Sequence, residues 1–243
     1  MDIVISGLLL AGTYALIAMG LNLQYGVARI MNLANGEMLV LGAMAAFMVF
    51  VSAQISPLIT MIVVAPLAFA ANWLIYQILL RPLVHRAKND GQLEVDSILA
   101  TFGISFALVG IMVSIHGEYF TYSFLANPFV ILGTTVGLNR LVAFLMAVLI
   151  AALLYLWLNH SRAGMAVRAV SVSPESSRLV GIDVGRISAL AFALGGAVTA
   201  VGGTLSSTGS TRVAAVGVIV TVKALIGVMG GGVGDMRGAT IAA

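Results

Sequence analysis

Residues able to do chemistry are few in this chain, and their spacing argues against catalysis. The three histidines, His85, His116 and His160, lie in different loops, and neither an HExxH pattern nor a paired His and carboxylate cluster accompanies them. No catalytic and no metal-binding residues are therefore expected. The stretch GGGVGDMRG near the C-terminus is glycine-rich, but no Lys-Ser or Lys-Thr follows it. Backbone amides alone do not make a phosphate-binding P-loop, so the chain has no visible means of using a nucleotide. What remains is a set of polar and charged groups set inside apolar runs: Asn22, Asn32, Asn35, Glu37, Thr101, Ser105 and Lys223. Such groups are costly in hydrocarbon, so they are expected either to line a translocation path or to bond neighbouring helices.

The elements that must carry these groups are membrane spans. Of 243 residues, 60% are hydrophobic and 9% charged, and mean hydropathy is +1.09. A soluble domain averages about 25% charged residues, so this surface belongs in a bilayer. The expected fold is all-α: a polytopic transmembrane helical bundle with at least six spans plus short re-entrant or broken helices, forming a single domain over residues 1–243. Apolar runs cover Ile3–Tyr25, Met38–Val51, Pro57–Leu80, Ser97–Ile115, Arg140–Leu158 and Ile187–Leu205. The second is short, and Pro66 inside the third predicts a kink. The final region, from Val213, is apolar but interrupted by glycines and by Lys223, which predicts a broken helix. A faint echo between NGEMLVLGAMAA and VGDMRGATIAA hints at inverted halves.

Orientation follows from Lys and Arg. One rich loop holds Arg81, Arg86 and Lys88, and a second, residues 160–186, holds Arg162, Arg168, Arg178 and Arg186; the loop His116–Asn139 has none. The rich loops are expected on the cytoplasmic side. The net charge of +3 belongs to these loops and points to orientation in membrane lipid, with no nucleic-acid partner implied. Cysteine is absent, which excludes disulfides and thiolate metal sites.

Inside the second rich loop, SVSPESSRLVGIDVGR reads as a short helix. Ser173 is suited to the N-cap, Pro174 to the first helical position and Glu175 to the positive end. Arg178 falls near the other end, and Gly181 can supply the left-handed closing turn. A helix of about two turns would then present Leu179 and Val180 beside Glu175 and Arg178, a surface that fits a partner's groove as well as it fits an ordinary solvated loop. In the sixth span Ala191, Gly195, Thr199 and Gly203 recur every four residues, a ridge of small side chains for close helix packing.

The string RAGMAVRAVSVSPESSRLVGIDVGRI resembles the cytoplasmic coupling loop of ABC-importer permeases, with its Glu-Ala-Ala…Gly pattern. GLLLAGTYALIAMGLNLQYGVARIMNLANGEMLVLGA, RPLVHRA and VKALIGVMGGGVGDMRGA resemble, in order along the chain, the permease subunits of branched-chain amino acid importers. Two departures stand out. Ser176-Ser177 replace the Ala-Ala, and the chain stops at Ala243 within an apolar stretch, so a C-terminally incomplete permease domain is expected. The resemblance implies a multi-pass subunit of the bacterial inner membrane. It would work with a second, identical or different, permease subunit, two cytoplasmic ABC ATPases and a periplasmic substrate-binding protein. It would carry branched-chain or other amino acids, urea or short amides. This chain would bind no cofactor; ATP and magnesium would be used by the ATPases. Arg168, Glu175, Arg178, Leu179, Val180 and Gly181 would form the ATPase-coupling segment within residues 160–186. The residues alone also fit an ion-gradient-driven secondary transporter or a channel.

Sidedness is directly testable because the chain has no cysteine. A single Ser176→Cys substitution should react with a membrane-impermeant maleimide only after the cytoplasmic face is opened. Labelling from the outside of intact cells would reverse the topology.

Overall fold

The computed structural model describes residues 2–87, 89–122, 124–125, 127–131, 134–208, 212–232 and 238. Lys88 and the segment VGDMRGATIAA, the second member of the sequence echo, therefore lie outside the described residues, apart from Gly238. The architecture is all-α. Among the described residues, six helical stretches are long and apolar enough to cross a membrane. They are α1 (Asp2–Ala28), α2 (Asn35–Ala53), α3 (Pro57–Ile75) with its continuation, α5 (Asp90–His116), α6 (Leu138–His160) and α9 (Val184–Ser206). Each is a run of apolar residues whose backbone bonds are made internally, the solution that hydrocarbon demands. A shorter apolar helix, α10 (Gly217–Gly231), follows a break after α9.

Several boundaries differ from the sequence expectation, among them the fourth span, which begins at Asp90 and not at Ser97. The second span is a full 19-residue helix, because Asn35, Gly36 and Glu37 already form its first turn. The third span stays helical across Pro66, passes into a π turn at Tyr76–Leu80 and ends beyond the expected Leu80. A fourth helix, α4 (Arg81–Arg86), prolongs this span without interruption.

The core is built around α9. This helix packs against α1, α2 and α3, and its small residues set how closely. A Cβ placed on Gly195 would strike the Gly20 carbonyl and lie 2.7 Å from the Gln24 side chain; one on Gly20 would meet Gly195 and Thr199 in return. Gly203 lies on the backbone of Leu39, and Gly196 on the side chain of Asn72. Three sides of one helix thus touch neighbouring backbone or branch points directly. Ala191 and Thr199 are fully buried in the same ridge. In a bilayer, where apolar side chains gain little by leaving lipid, such close van der Waals contact is a main source of association.

Residues 160–186 hold two helices, not one. α7 (Arg162–Val172) was not anticipated; Ser161 caps it by accepting the Gly164 N–H at 2.9 Å, and Gly164, Val167 and Val170 form its buried face. α8 (Pro174–Leu179) follows directly and is shorter than two turns. At the opposite end of the spans, two small ladders tie loops together: β1 (Tyr119–Phe120) pairs antiparallel with β4 (Arg212–Val213), and β2 (Pro128–Ile131) with β3 (Thr134–Gly137). Phe47, Phe50, Phe120, Tyr122 and Phe124 pack ring against ring beneath them, and the Tyr122 and Ser207 hydroxyls lie 2.8 Å apart.

The packing of α9 makes opposite predictions for neighbouring glycines. Gly195→Val should lower stability by about 1–3 kcal/mol through overpacking. Gly202→Ala, whose new methyl would meet nothing nearer than 3.5 Å, should be neutral or stabilise by about 0.5–1 kcal/mol. Thermal unfolding of the two variants in detergent checks the pair.

Candidate functional site

Two places concentrate the polar residues: a break between α1 and α2, and the segment around α8. At the first, α1 ends at Ala28, Arg29 takes a left-handed backbone (φ 55°), and Ile30–Ala34 is non-helical before α2 begins. Apart from exposed Arg29 and half-buried Leu33 this segment is buried. Non-helical backbone in such surroundings has to find partners or lose several kcal/mol per orphaned group.

The partners come mostly from one stripe on α5. Ser97, Thr101 and Ser105 are four residues apart and so share a helix face. The Ser97 hydroxyl accepts the Met31 N–H at 3.3 Å. The Thr101 hydroxyl accepts the Leu33 N–H at 3.1 Å and stands 3.2 Å from the Met31 carbonyl. The Ser105 hydroxyl donates to Glu37 Oε1 at 3.0 Å. From α10, Thr221 accepts the Gly36 N–H at 2.7 Å and faces the Leu33 carbonyl at 3.2 Å. Asn32 closes the break locally: its Oδ1 accepts the Ala34 N–H at 3.0 Å, and its Nδ2 donates to Gln24 Oε1 at 2.9 Å. Gln24 in turn donates to the Phe192 carbonyl of α9 at 3.1 Å. One ladder of bonds therefore joins α1, α2, α5, α9 and α10.

Glu37 sits at the centre, fully buried in the first turn of α2. The first residues of α10 press on its carboxyl group: a Cβ on Gly217 would strike the carboxyl atoms, and a Cβ on Gly36 would strike the Gly217 carbonyl. Two helix starts thus meet on one carboxyl group, where their dipoles favour negative charge. Its Oε2 and both polar atoms of Asn35 have no hydrogen-bond partner among the described residues.

The structure distributes the expected path residues unevenly. Asn32, Glu37, Thr101 and Ser105 converge on the break, while Asn22 is buried within α1. Lys223 lies apart from them. It is exposed on α10 beside Val222, Ile219 and Ile226, with Thr221 and Ala224 holding the buried face. Ser97 and Thr221 were missed as single residues; the four-residue period Ser97, Thr101, Ser105 was the signal available for the first.

At the second place, Ser173 Oγ accepts the Ser176 N–H at 3.2 Å and caps α8. Gly181 (φ 80°) closes it: the Gly181 N–H reaches the Arg178 carbonyl and the Ile182 N–H the Ser177 carbonyl, both at 3.1 Å. This is the doubly bonded left-handed ending of a Schellman motif. Glu175 and Arg178 are exposed, as are Leu179 and Val180, at 88% and 75%. Arg168 does not join them; it binds Asn159 Oδ1 at 2.9 Å and so fastens α7 to the end of α6.

Over residues 3–243 the chain matches the family described as "Branched-chain amino acid transport system / permease component". The chain belongs to this family. It is similar to the high-affinity branched-chain amino acid transport system permease protein LivH of Salmonella typhimurium strain LT2, with 28% identity over 97% of this chain and 80% of the relative. LivH of Escherichia coli K12 is 26% identical with the same coverage. BraD of Pseudomonas aeruginosa PAO1 is 26% identical over 98% of this chain and 80% of the relative. No solved structure matches. Family and spans together make this permease component a multi-pass membrane protein.

Removing the Thr101 hydroxyl by Thr101→Val should orphan the Leu33 N–H and cost about 1–3 kcal/mol. Ser114→Ala, on the exposed side of the same helix, should leave unfolding in detergent unchanged.

Proposed function

We propose that this chain is the membrane-spanning subunit of an ATP-driven importer of branched-chain or related amino acids. In this reading it lies in the bacterial inner membrane with residues 160–186 in the cytoplasm. It pairs with a second permease subunit, receives substrate from an external binding protein, and is driven by two ATPases that hydrolyse ATP with magnesium. The chain itself makes and breaks no covalent bond and binds no cofactor. The observation that carries the reading is α8: on a chain of the permease family, a helix capped at both ends holds Leu179 and Val180 out into solvent. Apolar side chains so exposed on a stiff mount are suited to a partner's groove.

Force applied to α8 has a short path inward. α8 packs on α7 and α9, and α9 packs on the helices that flank the break. Movement of the ATPases would therefore reach the Glu37 cluster through one rigid element, as a hinge or shear displacement. Glu37, Asn35, Thr101 and Ser105 are the residues proposed to feel it, with Asn22, Asn32 and Lys223 as further candidates for the path.

The test separates ATP-coupled from gradient-coupled transport. Leu179→Asp should weaken ATPase association by about 2 kcal/mol, roughly 30-fold, as expected of a hot-spot side chain. Import should fall with it, while the detergent melting temperature stays that of the wild type. Uptake that persists without the ATPases and collapses with the ion gradient would refute the proposal.

A further inference from the structure

Below the break, facing the end of the bundle that carries α8, lies an open groove of about 790 Å³. Its walls come from three parts of the chain that the sequence keeps far apart: Arg29 at the break, Arg81 and His85 on α4, and Arg178 on α8. Asp183 is the acidic residue among the lining, and its carboxylate is engaged by Arg186 at 3.1 Å and by the Arg186 N–H at the start of α9. The guanidinium of Arg81 bonds only the neutral amide of Gln77, at 3.1 Å, and neither Arg29 nor Arg178 forms an ion pair among the described residues. Three arginines thus line one concavity, against Asp183 as the acid among the described lining residues; Glu94 nearby is held by the Tyr25 hydroxyl at 2.9 Å.

Helix ends add to this field. α5 begins beside the groove at Asn89, whose side chain caps it through the Gln92 N–H at 2.9 Å, and α9 begins beside it at Val184 and Gly185. Both helices exceed twenty residues and point their positive ends inward, reinforcing the attraction for an anion. The third span reaches the groove through Tyr76 and Arg81, and between these two residues Ile78 and Leu79 stand exposed outside the lining. A ligand that fits this site carries negative charge at one end and apolar chains at the other.

We propose that the groove binds the phosphate-bearing headgroup of an anionic phospholipid, whose acyl chains lie along the exposed face of the third span. Basic pockets between transmembrane helices on the cytoplasmic side are suited to such headgroups, and each basic residue near the surface contributes on the order of 1 kcal/mol. Bound there, one phosphate bridges the break at Arg29 to α8 at Arg178. The lipid is then a removable brace between the coupling helix and the buried polar ladder. The inference rests on the groove and on membrane placement, and its test does not depend on what is transported.

The experiment is a titration of the detergent-purified transporter complex with fluorescent short-chain phosphatidylglycerol, read by anisotropy. Binding should saturate and be displaced by unlabelled phosphatidylglycerol, but not by phosphatidylcholine or by inorganic phosphate at equal concentration. Arg81→Gln, a change at an exposed side chain, should weaken it about fivefold, in keeping with the loss of one headgroup contact. Arg162→Gln, on α7 outside the groove, should leave it within about twofold. Equal weakening by both substitutions would mean a diffuse surface charge effect and overturn the proposal. Displacement by phosphatidylcholine would do the same, and displacement by inorganic phosphate alone would identify an ion site and not a lipid site.

Discussion

An interrupted helix inside an apolar bundle must still satisfy its peptide groups, and that requirement organises this molecule. Between Ala28 and Asn35 the chain gives up its internal hydrogen bonds in largely buried surroundings. Several nearby polar side chains answer that loss. Ser97 and Thr101 take backbone N–H groups, Thr221 reaches across from α10, and Asn32 folds back to cap its own turn. These contacts need the helices at fixed depths and rotations, because a hydroxyl displaced by one residue along α5 would leave its face of the helix. Thus a local defect in one helix sets the registry of four others.

Close packing is the second half of the same constraint. For short side chains such as Ser and Thr to reach a neighbouring backbone, the helix axes must approach closely, and glycine and alanine are what permit it. Gly36 against Gly217 brings the starts of α2 and α10 together at Glu37, and Gly20 against Gly195 does so for α1 and α9. A methyl group at any of these positions would separate the helices and pull the hydroxyl ladder apart. Polar satisfaction and steric fit are one arrangement seen from two sides.

The spans were legible in the sequence because hydropathy and length report on burial directly. The α8 helix was legible because Ser173, Pro174 and Gly181 have local effects that do not depend on neighbours. The tertiary use of the polar residues was not. Thr101 in an apolar run looks the same whether it lines a path or holds a distant backbone, and only the fold places it against Leu33. For Lys223 the cost in hydrocarbon argued for a cavity, a carbonyl end or the interface, and only the fold shows that it is exposed beside Val222. α7 was missed although Ser161 and the Gly164, Val167, Val170 period were present, because its polar surface was read as loop.

The composition of α9 bears on how such a bundle can move. Gly195, Gly196, Gly202 and Gly203 each lower intrinsic helix stability by about 1 kcal/mol relative to alanine, so the middle of this helix is weak on its own. Its stiffness in the packed state comes from the neighbours pressed against those same glycines. A displacement that starts at α8 would travel along α9 as through a rod only while α1, α2 and α3 remain in contact. Where they part, the rod loses its support and bends. The residues that allow α9 to be gripped so closely are thereby the ones that would let it yield were the grip released.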